Sequence, residues 1–154
     1  MMGKDTITGT RGSPVQMEIR GIGEVINYIR AKGKDIEQGV EVELVRQGAF
    51  IEEELKNSIA GRRKEPKSVN TGLFLNSIRT DLVDTKTVKI GPLNISYPGT
   101  GTPVAQIASW LEFGTTRITE RRHFRNTADR NKKKVYGEIN KAINRAIRGL
   151  KALR

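Results

Sequence analysis

Thr116 divides the chain into two electrostatically different parts. From Arg117 to Arg154 there are 13 Lys/Arg against 3 Asp/Glu, while the first 116 residues hold 15 against 14. Nearly all of the net charge of +11 therefore sits in the last quarter. A segment so highly charged joins a folded core only through an apolar stripe. Val135, Ile139, Ile143, Ala146 and Leu150 recur at helical spacing. That spacing predicts a helix from about Asn126 to Leu150, ringed by Lys132, Lys133, Lys134, Lys141, Arg145 and Arg148. Such a face is either a solvated exterior or a surface for phosphate or an acidic partner, and charge alone does not choose between them.

The border is reached through Ser109–Thr116, which holds the only Trp, Trp110, and Phe113. Thr102 followed by Pro103 is the preferred order at a helix start. Val104, Ile107, Ala108 and Leu111 then share one face, Gly114 stops the helix, and Thr115 to Arg122 is irregular and polar.

Upstream, residues 1–14 are polar and aperiodic, which predicts a flexible arm. Val15 to Arg20 alternates as a strand does. Val25, Ile26 and Ile29 suit a short helix. A long helix follows, with Asp35 at its start and Ile36, Val40, Leu44, Ile51, Leu55 and Ile59 as its core stripe. Gly39 and Gly48 weaken that helix unless a neighbour needs close approach. Gly61 to Pro66 is a basic loop carrying Arg62, Arg63 and Lys64. Asn70 or Thr71 is placed to cap a short helix that turns Leu73, Phe74 and Ile78 inward. The β-branched run from Leu82 to Gly91 predicts a strand, with Asn94 to Tyr97 as an extension or hairpin partner. The expected fold is α+β: long N-terminal and C-terminal helices on a small antiparallel sheet, with short helices between. Residues 15–154 form one domain ending in the basic helix.

Several functions are disfavoured. No run of apolar residues is long enough for a membrane span. The absence of Cys removes disulfides and thiolate metal sites. Gly99-Thr100-Gly101 lacks the third glycine of a dinucleotide loop, and Glu52-Glu53-Glu54 suits a solvated helix face better than a metal site. The single His, His123, lies among Arg121, Arg122 and Arg125, which disfavour its protonation, and Asp129 is the only acid near it in sequence. No catalytic, metal or cofactor residues are expected, and the chain is read as a soluble, non-enzymatic protein made in a cytoplasm.

Two separated segments together resemble a known family. Thr71-Gly72-Leu73 with Ser77-Ile78 is similar to its "TG-L--SI" element, and Val88-Lys89-Ile90-Gly91 follows. Tyr97 with Glu112-Phe113-Gly114-Thr115 is similar to its "Y…-EFGT" element. Arg122-His123-Phe124-Arg125-Asn126-Thr127-Ala128 is similar to "RPFLRPA", although His123 and Thr127 stand in place of its two prolines. The segment between Tyr97 and Glu112 is also longer than usual. The ordered set, over residues 15–150, resembles the tail-completion or neck proteins of long-tailed bacteriophages, the family described after gene product ten of a lambdoid coliphage.

The resemblance implies a structural virion protein of the head–tail junction. It implies a ring of copies, expected as a hexamer, around the DNA channel. Expected partners are head-closure, tail-terminator and tail-tube proteins, with genomic DNA in the lumen. In this picture Glu112 pairs with arginines of the following loop or of a neighbouring copy, and Phe113 and Phe124 anchor that loop. Residues 1–13 and the Arg62–Lys64 loop are candidates for contacts between copies. The alternative is a free nucleic-acid-binding protein using the basic helix, without sequence-specific readout.

Overall fold

In a computed structural model, residues 6–8, 15–19, 27 and 34–152 are described. The architecture is α+β as expected. Strand β1 spans Thr6–Thr8 and β2 Gln16–Ile19; helix α1 spans Lys34–Ile59 and α2 Leu73–Ser77. Strands β3 (Ile78–Asp84) and β4 (Thr87–Pro92) follow, then α3 (Val104–Phe113) and α4 (His123–Ala152). The sheet has the order β1-β2-β4-β3 with every neighbouring pair antiparallel. Helix α1 lies against β3 and β4 on one flank and runs along α4 on another.

The core follows the periodicities of the sequence. Val40, Leu44, Ile51, Leu55 and Ile59 of α1 are buried, and Val135, Ile139 and Ile143 of α4 meet them. Val15, Met17 and Ile19 supply one buried face along β2, with Val88 and Ile90 beside them on β4. On the other face the Glu18 carboxylate lies 3.4 Å from Lys89 Nζ, directly across the β2–β4 pair. Gly48 sets the approach of α1 to the sheet: a Cβ there would stand 2.6 Å from Val88 Cγ1 and 2.7 Å from Thr80 Cγ2. Helix α1 ends in a Schellman turn. Gly61 takes φ 75°, the Arg62 N–H reaches the Asn57 carbonyl at 2.9 Å, and the Gly61 N–H reaches that of Ser58 at 3.0 Å.

Four local expectations are corrected. The arm is not wholly unstructured, because Thr6–Thr8 pairs with Glu18, Met17 and Gln16 and satisfies the outer edge of β2. The run expected as one strand is a hairpin: the Asp84 carboxylate accepts the Lys86 N–H at 2.7 Å and turns the chain between β3 and β4. Its β-branched residues lie on both sides of that turn, which hid the break. Residues 94–97 add only an isolated bridge, Ser96 to Pro103. At the helix starts, Gly72 and Pro103 occupy the N-cap positions of α2 and α3, in place of Asn70 and Thr102, while Thr71 acts from one residue further out, its hydroxyl accepting the Leu73 N–H. The short helix expected at Val25–Ile29 lies outside the described residues, apart from Asn27.

Candidate functional site: a buried corner and a basic helix face

Helix α3 is stopped by Gly114, whose φ of 72° suits glycine and whose N–H reaches the Trp110 carbonyl at 2.8 Å. A Cβ there would meet Glu120 N and Ile118 O, each at 3.0 Å. The Thr115 hydroxyl accepts the N–H groups of Arg117 and Ile118 and closes the following turn. The Arg121 N–H then returns to the Leu111 carbonyl at 2.7 Å. Arg122, at φ 53°, bends the chain into α4.

Glu112 receives that chain. It is 1% exposed, its Oε2 accepts the Phe124 N–H at 2.9 Å, and its Oε1 accepts the Arg125 N–H at 3.0 Å. The carboxylate thus caps α4 from another helix, at the end where the helix dipole favours negative charge. Burial raises its pKa against the opposing pull of those two N–H groups and of Arg125 and Arg122. Within the chain, the expected pairing of Glu112 with arginine side chains of the following loop is replaced by bonds to backbone. The remote cap also explains why α4 begins at His123 rather than near Asn126. Phe124 is fully buried, whereas Phe113 is half-buried with the Arg125 guanidinium 5.9 Å from its ring centre.

His123 is the second surprise of the corner. Its ring is 1% exposed, with Ser58 Oγ 2.8 Å from Nδ1 and Ser68 Oγ 2.6 Å from Nε2. Ser58 donates to Glu65 Oε2 at 2.9 Å, so its oxygen must accept from Nδ1–H. Nε2 then accepts from Ser68, whose oxygen takes a hydrogen bond from Arg121 Nη1 at 2.9 Å. Beyond Glu65, Arg130 Nη1 closes the chain at 2.6 Å. Burial lowers the His123 pKa to about 4; Glu65 opposes this, and Arg121 and Arg130 add to it. Glu65 is also buried, yet Arg130 and Ser58 outweigh that burial and hold its carboxyl below the usual range. A neutral imidazole with both nitrogens engaged is a weak base, but it is a firm cross-link between α1, the loop at Ser68 and the start of α4. Thr127, fully buried, receives Arg130 Nη2 at 3.4 Å and its carbonyl accepts the Asn131 amide. The two positions that depart from the family pattern are thus both built into polar contacts.

The other resemblance residues gather nearby. Gly72 takes φ 82° before α2, and Thr71 Oγ1 accepts the Leu73 N–H at 3.3 Å. Leu73 is half-buried, Ile78 fully buried, and Ser77 donates to the Phe74 carbonyl at 2.7 Å. Phe74, Tyr97 and Leu111 line an open cavity of about 470 Å³.

The basic residues divide into those with a side-chain partner and those without one among the described residues. Arg63 forms a two-bond fork to Glu54, Arg62 reaches the Asn57 side chain, and exposed Lys64 has no carboxylate within ion-pair distance among the described residues. On α4, Lys132 pairs with Asp129 and Lys141 with Glu138, while Lys134 Nζ lies 3.8 Å from the Phe50 ring centre. Lys133, Arg145 and Arg148 are exposed, and no carboxylate pairs with them among the described residues. No group of His, Asp and Glu suited to a metal ion occurs among the described residues.

Comparison with protein-family models, with curated proteins and with solved structures finds no match.

Proposed function

We propose that this chain is a structural protein of the head–tail junction of a long-tailed phage, a tail-completion or neck component. It assembles as a ring, a hexamer by the resemblance, between head-closure, tail-terminator and tail-tube proteins. It acts in the virion and is made in the host cytoplasm. One observation supports the reading: the motif elements lie together at one corner of the fold. Glu112 of the Glu-Phe-Gly-Thr element binds the first turn of α4, which carries the His123–Ala128 element. Tyr97 meets the helix that follows Thr71-Gly72 in the cavity beside it. The role is non-catalytic, and the dense cross-linking of the corner suits a part that must hold its shape in an assembly.

The test has two arms. Electron microscopy of the purified chain, alone and with tail tubes, should reveal rings or capped tubes. Particles assembled without the protein should contain heads and tails that fail to join, and normal infectious particles would overturn the proposal.

A second reading is favoured by the unpaired face of Lys133, Arg145 and Arg148: a free, sequence-independent nucleic-acid binder. Steeply salt-dependent DNA binding by a protein that forms no ring would favour it. A ring with the same binding would instead place that face toward passing DNA.

A further inference from the structure

We propose that the cavity beside Arg121 binds a carboxylate carried on an apolar body. The inference stands independently of the assembly reading. Arg121 Nη1 is pinned by Ser68 Oγ at 2.9 Å and by the Lys67 carbonyl, and Ser68 is itself held by His123. The guanidinium is therefore positioned before any ligand arrives. It belongs to a half-buried residue, yet no carboxylate pairs with it among the described residues. Its Nε and Nη2 make no hydrogen bond to the described residues. A partly desolvated cation without a counter-ion is costly, and an anion that enters removes the cost.

The cavity walls select the kind of anion. Arg121 and Lys67 lie at its cationic part; Phe74, Tyr97, Ile107 and Leu111, with Val69, form an apolar wall, and hydroxyl and amide side chains complete the lining. Its volume of about 470 Å³ is that of a small-ligand pocket. The flat fork of Arg matches the two oxygens of a carboxylate, while the apolar walls reward a hydrophobic stem. Bare phosphate gains nothing from the apolar wall.

Calorimetric titration of the full chain tests the idea with four probes: N-acetyl-leucine, N-acetyl-leucinamide, inorganic phosphate, and the blocked peptide acetyl-Leu-Asp-Leu-amide. N-acetyl-leucine is expected to bind about tenfold more tightly than its amide, the factor for one charge-assisted hydrogen-bonded pair. Binding of the blocked peptide as well would identify a side-chain carboxylate of a partner chain as an acceptable source. Its failure beside N-acetyl-leucine would restrict the source to a free acid or a chain terminus. Arg121→Gln should abolish the preference for the acid. Ile107→Glu, which brings a carboxylate into the cavity, should block binding with helical content unchanged, and this variant serves even if Arg121→Gln fails to fold. Equal binding of acid and amide, phosphate binding as tight as that of the acid, or unaltered binding by Ile107→Glu would overturn the proposal.

Discussion

Glu112 and Phe124 are joined by a hydrogen bond of 2.9 Å from a backbone N–H to a buried carboxylate, so that the last residues of one helix cap the first turn of the next. The charge border seen in the sequence is therefore a joint, with α4 clamped at its root. Replacing Glu112 by Ala leaves two backbone N–H groups without acceptors and should cost about 2 kcal/mol. Glu112→Gln keeps an acceptor and should cost less. Urea unfolding checks the order, and hydrogen exchange at Phe124 and Arg125 should rise in the Ala variant before global unfolding.

The aromatic anchors of that joint are unequal. Phe124→Ala empties a fully buried site and should cost about 3–5 kcal/mol. Phe113→Ala removes a half-buried ring and should cost less than half as much. Equal losses in the unfolding midpoints would contradict the geometry.

His123 is the only histidine, so its resonances can be followed through a pH titration without ambiguity. Its pKa should be about 4 in the folded chain, against 6.5 for a free imidazole. The unfolded chain then binds the proton first as pH falls. Stability is intact above about 6.5 and should drop by about 3 kcal/mol as pH falls toward 4. The raised pKa of Glu112 acts in the opposite sense, so the slope should be steeper in Glu112→Gln. A folded-state pKa near 6.5 would mean that the ring is not enclosed by Ser58 and Ser68.

Two glycines of α1 should respond oppositely to Ala. Among the described residues nothing lies within 4 Å of where a Cβ on Gly39 would stand, and Gly39→Ala should stabilise by about 0.5–1 kcal/mol through helix propensity. Gly48→Ala gains the same propensity but drives a methyl into Val88 and Thr80. The net change should be destabilising by about 1–2 kcal/mol, measured by thermal unfolding.

Replacing Lys133, Arg145 and Arg148 together by Gln should leave the unfolding midpoint nearly unchanged, because these side chains are exposed. If the face meets DNA, the slope of log affinity against log salt should become shallower by about 1 for each phosphate that is no longer neutralised.

What could be read from the sequence was whatever repeats with a period. The stripes of α1 and α4 have helical spacing, so their buried faces were visible, as was the stop at Gly114. The cap of α4 was not visible because its acceptor lies on another helix, 12 residues before Phe124. The environment of His123 was hidden for the same reason: Ser58 and Ser68 lie 65 and 55 residues away. One signal pointed toward it, since Ser58 sits beside Leu55 and Ile59 on the core face of α1, where a hydroxyl needs a partner. The β3–β4 hairpin escaped because Asp84 turns the chain within a run of strand-forming residues.

Because β1 lies outside β2 in the strand order, residues 6–8 cover an edge of β2 that would otherwise be open. A protease cut between residues 8 and 15 would loosen β1 from its pairing with β2 and its contacts with α4, and uncover the N–H and C=O groups along β2. A bare edge of that kind is a template for another strand. Clipped molecules should therefore be stickier than intact ones, and capable of borrowing the missing strand from a neighbour.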